Sequence, residues 1–137
     1  MIEIEVKKGD LYKAHQSLDL SMNNFKDMSD VLYYVRLSKQ IETELTSIDT
    51  VKKSLIEIMA RDECNKIIKD NVEHWTQGAA NKIESTFNDI YNETIVFSLE
   101  PIPHSKLLTY PPTMGQFIKV FYAVFEESTA TNDMVSE

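Results

Sequence analysis

Residues 28–59 read MSDVLYYVRLSKQIETELTSIDTVKKSLIEIM, a run with neither glycine nor proline. From Tyr34 the apolar positions Leu37, Ile41, Leu45 and Ile48 step by 3, 4, 4 and 3. Lys52 takes the next seam position, and Leu55 and Met59 follow. That is the stripe of an amphipathic helix. It starts near Asp27 or Ser29, and its weakest stretch is Thr43 to Thr50, rich in Thr, Ser and Asp. Outward from it, the tract free of both breakers covers the 68 residues between Gly9 and Gly78. One helix of that length would reach about 100 Å, too long for a 137-residue chain. The tract must fold back. Ser21, Asn23 and Asn24, whose side chains compete with helical backbone bonds, mark the first reversal. Asp62-Glu63 suits a restart after a bend, and Cys64, Ile68, Val72 and Trp75 at spacing 4, 4, 3 predict a separate helix over 62–76. Gly78 reads as its stop. Ala80, Ile83, Phe87 and Ile90 form one more short helical face.

The flanks differ in character. Ile2, Ile4 and Val6 alternate with Glu3, Glu5 and Lys7, which predicts a strand over 2–8. Gly9-Asp10 closes it and offers Asp10 as the N-cap of a short helix carrying Leu11, Ala14, His15 and Leu18. Thr94 to Leu99 is β-branched and aromatic and predicts a second strand. Pro101 and Pro103 end it, because proline cannot donate to a ladder. After a Pro-containing connection over 100–112, Thr113-x-x-Gln116 has the form of a capping box. Met114, Phe117, Ile118, Phe121, Val124 and Phe125 make the face of a last helix. The fold class expected is α+β and mostly α-helical. Long antiparallel helices carry a small two-stranded sheet made by the N-terminal strand and the strand near 94–99. Residues 1–127 form one helix-rich domain, and 128–137 a flexible C-terminal tail.

Composition narrows function by exclusion. With 22 acidic and 14 basic residues the formal net charge is −8. A surface that tracks nucleic acid needs the opposite balance, so direct nucleic-acid binding is not expected. The single cysteine permits neither an internal disulfide nor a cysteine-based zinc cage. No basic leader with an apolar run opens the chain, and no stretch approaches a membrane span, so a cytoplasmic protein is expected.

The chemistry-bearing residues are scattered. His15, His74 and His104 form no H-x-x-x-H pair, and no metal or other cofactor is expected. Cys64 shares a stripe with Ile68 and Val72 and reads as a small buried hydrophobe. His15, on an apolar face, reads as buried and hydrogen-bonded. Glu42/Glu44, Asp62/Glu63 and Glu126/Glu127 are one or two apart, so on a helix the members of each pair do not face one another. Trp75 is either an interface anchor or the edge of its own core. Glycine-rich phosphate loops and a nucleophile elbow are missing from the sequence. Residues 84–137 hold eight acidic residues against two lysines, a field that suits a basic partner.

The order of elements also carries a resemblance. Ile2-Glu3-Ile4 with Gly9-Asp10-Leu11, then Tyr34-Val35-Arg36-Leu37 with Lys39, then Val96-Phe97-Ser98-Leu99-Glu100-Pro101-Ile102, Leu107-Leu108 and a terminal amphipathic helix follow in turn. This layout resembles a family of small proteins of unknown function from tailed bacteriophages and prophages of Gram-positive bacteria, the DUF1617-like proteins. The resemblance covers most of residues 1–127. It implies a phage origin and a compact accessory protein in the host bacterial cytoplasm or associated with the virion. It supplies no catalytic residues.

Two expectations of function follow. In the first, a non-catalytic phage accessory protein works through protein–protein contact during virion assembly or a similar process. Its partner is another phage protein or its own copy, with Tyr34, Leu37, Ile41 and Trp75 as candidate contact residues. In the second, the chain inhibits a host protein such as an anti-phage defence factor. Glu100, Glu126 and Glu127 then meet a basic host surface. An enzyme built on Cys64 or His104 is a third alternative.

Overall fold

The structure is a computed structural model that describes residues 1–126. Glu127 and the stretch 128–137 lie outside the described residues. The chain is mostly helical, with small two-stranded sheets. Strand β1 (Ile2–Lys7) leads through a 3₁₀ turn over Lys8–Asp10 into α1 (Leu11–Ser21). Asp10 stands at the head of α1 without a side-chain cap bond. A second 3₁₀ turn over Met22–Asn24 makes the predicted reversal. Helix α2 then runs from Met28 to Ala60, 33 residues or about 50 Å. Asp27 caps it, accepting from the Ser29 amide. The Thr43–Thr50 stretch stays helical. Thr43 and Thr50 return their hydroxyls to the carbonyls of Lys39 and Thr46, so they donate within the helix.

Beyond α2 the predicted helix over 62–76 is replaced by a β-hairpin, β2 (Lys66–Lys69) and β3 (Val72–Trp75). Its turn residues Asp70 and Asn71 have φ of 54° and 64°. Two successive positive φ values suit a two-residue hairpin turn, and short polar side chains tolerate them. Gly78 consequently stops nothing. It lies in the first turn of α3 (Gln77–Asn92), which Thr76 caps through the Ala79 amide. Cys64 is exposed on the turn after α2, so its reading as a buried hydrophobe is also corrected.

Strand β4 (Thr94–Leu99) pairs antiparallel with β1, setting Ile2 opposite Leu99, Ile4 opposite Phe97 and Val6 opposite Ile95. The apolar face packs inward and the face of Glu3, Glu5 and Lys7 is solvated, as the alternation requires. The last predicted helix is shorter than its apolar face. Helix α4 spans only Gly115–Val120. The chain then turns into β6 (Phe125–Glu126), which lies parallel to β5 (Ile102–Pro103). The Thr113–Gln116 capping box does not form. Thr113 is bound by α1 instead: Ser17 Oγ donates to its carbonyl, and Ser21 Oγ lies 2.6 Å from its hydroxyl. Ser17 Oγ also accepts from the Phe117 amide at 3.2 Å, so a neighbouring helix supplies the cap.

One apolar cluster joins these elements. Tyr34, Phe117 and Phe121 are wholly buried in it. Phe117 stacks on Phe121 at 4.8 Å between centroids and meets Tyr34 edge-on at 5.3 Å. Phe121 meets Phe97 at 5.4 Å, which ties the C-terminal segment to β4. Helices α1 and α2 run antiparallel. Tyr12 Oη donates to Asp49, and His15 Nε2 lies 3.2 Å from Glu42, so numbers fall on α1 as they rise on α2. Helix α3 lies antiparallel to α2 in turn, with Tyr91 near Lys52 and Ala79 near Met59. Gly9 lets the turn after β1 approach α3, since a Cβ there would stand 2.9 Å from Tyr91 Cβ.

This packing sets an order of sensitivity. By urea denaturation, Phe117→Ala lowers stability by about 3–5 kcal/mol. Gly9→Ala lowers it by about 1–3 kcal/mol through overpacking. Ile68→Ala, on the exposed hairpin, changes it by less than about 0.5 kcal/mol.

Candidate interaction surface

The predicted contact residues separate in the structure. Tyr34, Leu37 and Ile41 are wholly buried among α1, α2 and the C-terminal segment of their own chain. They hold the fold together and present nothing to a partner. This corrects the expectation that these three side chains contact a partner. Trp75 is half-buried at the root of the hairpin. Glu100 and Glu126 are exposed. The β5–β6 pairing sets Glu126 beside Pro103, three positions from Glu100.

Exposed apolar side chains are scattered over the described surface, and a group of them lies at the far end of α2. Ile67, Ile68 and Val72 are 53%, 73% and 54% exposed, and Ile58 on the adjoining helix end is 59% exposed. Cross-strand partners share a face. One hairpin face therefore carries Ile67, Lys69, Val72 and His74, and the other Lys66, Ile68, Glu73 and Trp75. Lys66 Nζ binds Glu73 Oε1 at 3.3 Å on the second face.

The hairpin root is held by polar bonds. Asn65 Nδ2 donates to the Met59 carbonyl at 3.0 Å, Asp62 accepts from the Cys64 amide, and Thr76 N donates to Asn65 O at 2.8 Å. Two strands alone are marginal in water. Here they display branched aliphatic side chains on both faces. The pattern evaded sequence reading because neither face is buried enough to enforce alternation. The one local signal was Asp70-Asn71 following the β-branched Ile67-Ile68.

An open apolar groove of about 360 Å³ continues from Trp75 along α3, lined by Ala80, Ile83, Phe87 and Tyr91. Beneath it Lys52 explains its place in the apolar seam. Its ammonium lies 5.7, 5.0 and 5.0 Å from the ring centroids of Tyr12, Phe87 and Tyr91, and it donates to Tyr91 Oη. A cation over aromatic faces replaces the aliphatic contact a leucine would make.

A second concavity of about 450 Å³ opens at the start of α2, beside Phe25, Met28, Lys106 and Tyr110. Its polar groups are already spent on one another. Lys106 Nζ binds Asp27 Oδ2 at 2.9 Å and Asp30 Oδ2 at 3.3 Å. Tyr110 Oη donates to Asp30 Oδ1, and Tyr34 Oη donates to Tyr110 Oη. Burial, foremost, pushes the Tyr110 hydroxyl up to about 12 and raises that of Tyr34 as well. Both stay protonated donors at neutral pH. The Lys106 ammonium, above all, holds the Asp27 carboxyl down at about 2. The chain thus stitches the connection after β5 to the head of α2 with two carboxylates and one ammonium.

The remaining candidates are dispersed. His104 Nε2 lies 3.2 Å from Tyr122 Oη. His15 is only partly buried and lies between Asp19, Ser38 and Glu42. Among the described residues no group of three or more His, Cys, Asp and Glu side chains is placed to hold a metal ion, and no helix is long and apolar enough to cross a membrane. Compared with known protein families, curated proteins and solved structures, the chain gives no match.

The Asp27–Lys106 pair has a defined pH signature. Because the folded-state value of Asp27 lies below its ordinary 3.8, its contribution to stability is present above that value and is lost as pH falls toward 2. An NMR titration of the Asp27 side-chain carboxyl has its midpoint near 2 in the native protein. In Lys106→Met the midpoint rises toward 3.8, and a midpoint unchanged by that substitution contradicts the assignment.

Proposed function

We propose that this protein works without catalysis, by binding another protein through the hairpin end of α2 and α3. The observation that carries this reading is the exposed set Ile67, Ile68 and Val72 on a hairpin that the core does not cover. Exposed apolar side chains gathered on one small element mark interaction sites. On the face of Ile68, Trp75 and the groove along α3 add the side-chain type most enriched at binding hot spots. Together with the resemblance drawn from the order of elements, this reading describes an accessory protein of a tailed bacteriophage. Its place is the host bacterial cytoplasm or the virion, and its partner another phage protein or a second copy of itself.

The exposed acids support a second reading. Glu100 and Glu126 are both exposed, and the β5–β6 pairing sets Glu126 beside Pro103, three positions after Glu100. Such a margin suits steering onto a basic host protein, which is how an inhibitor of a defence factor would dock.

Affinity capture from infected cells distinguishes the two. Ile67→Lys/Val72→Lys abolishes capture of the partner under the first reading, while Glu100→Lys/Glu126→Lys leaves it intact. Under the second reading the effects are reversed, and capture weakens with added salt. Capture unchanged by either double substitution contradicts both.

A further inference from the structure

We propose that the open edge of β2 is self-complementary and joins two copies of this chain in an antiparallel, two-fold-related four-stranded sheet. This rests on the hairpin being the contact surface and names what occupies it. Strand β3 runs directly into α3, and among the described residues no second strand pairs with the other edge of β2. The hydrogen-bonding parity of β2 follows from two facts. Its turn has two residues between the paired Lys69 and Val72, and Thr76 N donates to Asn65 O. Asn65 with Thr76, Ile67 with His74 and Lys69 with Val72 are therefore the mutually bonded pairs. The N–H and C=O groups of Ile68 and the C=O of Lys66 point away from β3 along the free edge, while the Lys66 N–H donates to the Glu63 carbonyl in the turn before the strand.

An incoming antiparallel strand must present outward-pointing residues to those groups. A second β2 does so with the two-fold axis at Ile68. Ile68 then faces the partner's Ile68, Ile67 faces the partner's Lys69, and Lys66 comes opposite the partner's turn residue Asp70, just beyond the strand, at both ends. Opposite charges thus flank an aliphatic centre, with Lys66 lying between its own Glu73 and the partner's turn. The other permitted registers lack this. An axis at Ile67 sets Lys66 against the partner's Ile68. On the edge of β3, an axis at Glu73 opposes two carboxylates, and one at His74 sets Glu73 against the partner's Trp75. Within residues 66–75 the two lysines balance Asp70 and Glu73, so contact here brings together a neutral patch of a chain whose net charge is −8. The contact is small, which makes the dimer reversible and concentration-dependent.

The test combines sedimentation equilibrium with directed cross-linking in the full chain. Native protein dimerises on concentration toward about 1 mM, the weak end of the affinity scale, and Asp70→Asn weakens the dimer about fivefold while keeping the turn, since it removes two exposed charge pairs. In a Cys64→Ser background, Ile68→Cys sits at the two-fold, where Cα atoms of a bonded pair are about 5.5 Å apart, within disulfide range. It should oxidise to a covalent dimer at least about tenfold faster than Leu32→Cys, an exposed position on α2. A chain monomeric up to about 1 mM with equal cross-linking at both positions overturns the proposal, as does a trimer or larger ring. If a monomeric chain still captures another protein and Ile67→Lys/Val72→Lys abolishes that capture, the second copy is wrong and the binding function stands. If dimerisation holds but capture does not depend on the hairpin, only the wider reading falls.

Discussion

Helix α2 is longer than the core that it serves. A domain of this size has a radius of gyration near 14 Å, whereas α2 reaches about 50 Å. The buried aromatic cluster covers only its first half, from Asp30 to Ile48. Beyond Ile48 the only buried side chain of the helix is Met59, at 7% exposure. The second half lies against α3, and the connection between them stands away from the core. Everything distinctive about the surface follows from this mismatch, because a short hairpin at such a place has little apolar surface to settle on.

The two halves of α2 are stabilised by different physics. In the first, Tyr34 packs between Phe25, Phe117 and Tyr110, and the hydroxyls of Ser17 and Ser21 fasten α1 to the start of α4. In the second, an ammonium over three rings stands where the stripe called for an aliphatic side chain. A junction of that kind joins α1, α2 and α3 while keeping a polar group in the seam. No buried side-chain polar atom among the described residues is left without a partner, so the polar insertions are compensated locally.

Much of the architecture was legible in sequence for identifiable reasons. The strands at 2–7 and 94–99 each bury one face, so their period of two survives in the sequence. The long stripe from Tyr34 and the reversal at Met22–Asn24 were equally visible. Three misreadings have separate causes. Cys64, Ile68, Val72 and Trp75 match helical spacing, yet none of them is fully buried. Periodicity reports a core only where there is one. Thr113 and Gln116 have capping-box chemistry, but α1 takes Thr113 first. Tyr34, Leu37 and Ile41 were visible as an apolar stripe, while the partner that covers them, the C-terminal segment, is a tertiary fact about residues some 80 positions away. The candidate surface was the least legible part, since a hairpin exposed on both faces has no buried side to encode.

The central claim is that the hairpin stands outside the cooperative core and is kept for contact. Hydrogen exchange of the free protein at low concentration tests it most directly. Amides of Lys66–Trp75 are predicted to exchange through local opening, about a hundredfold or more faster than those of Tyr34–Ile41, which require global unfolding. Protection of the hairpin equal to that of Tyr34–Ile41, with the same response to denaturant, would make it part of the core and contradict this account.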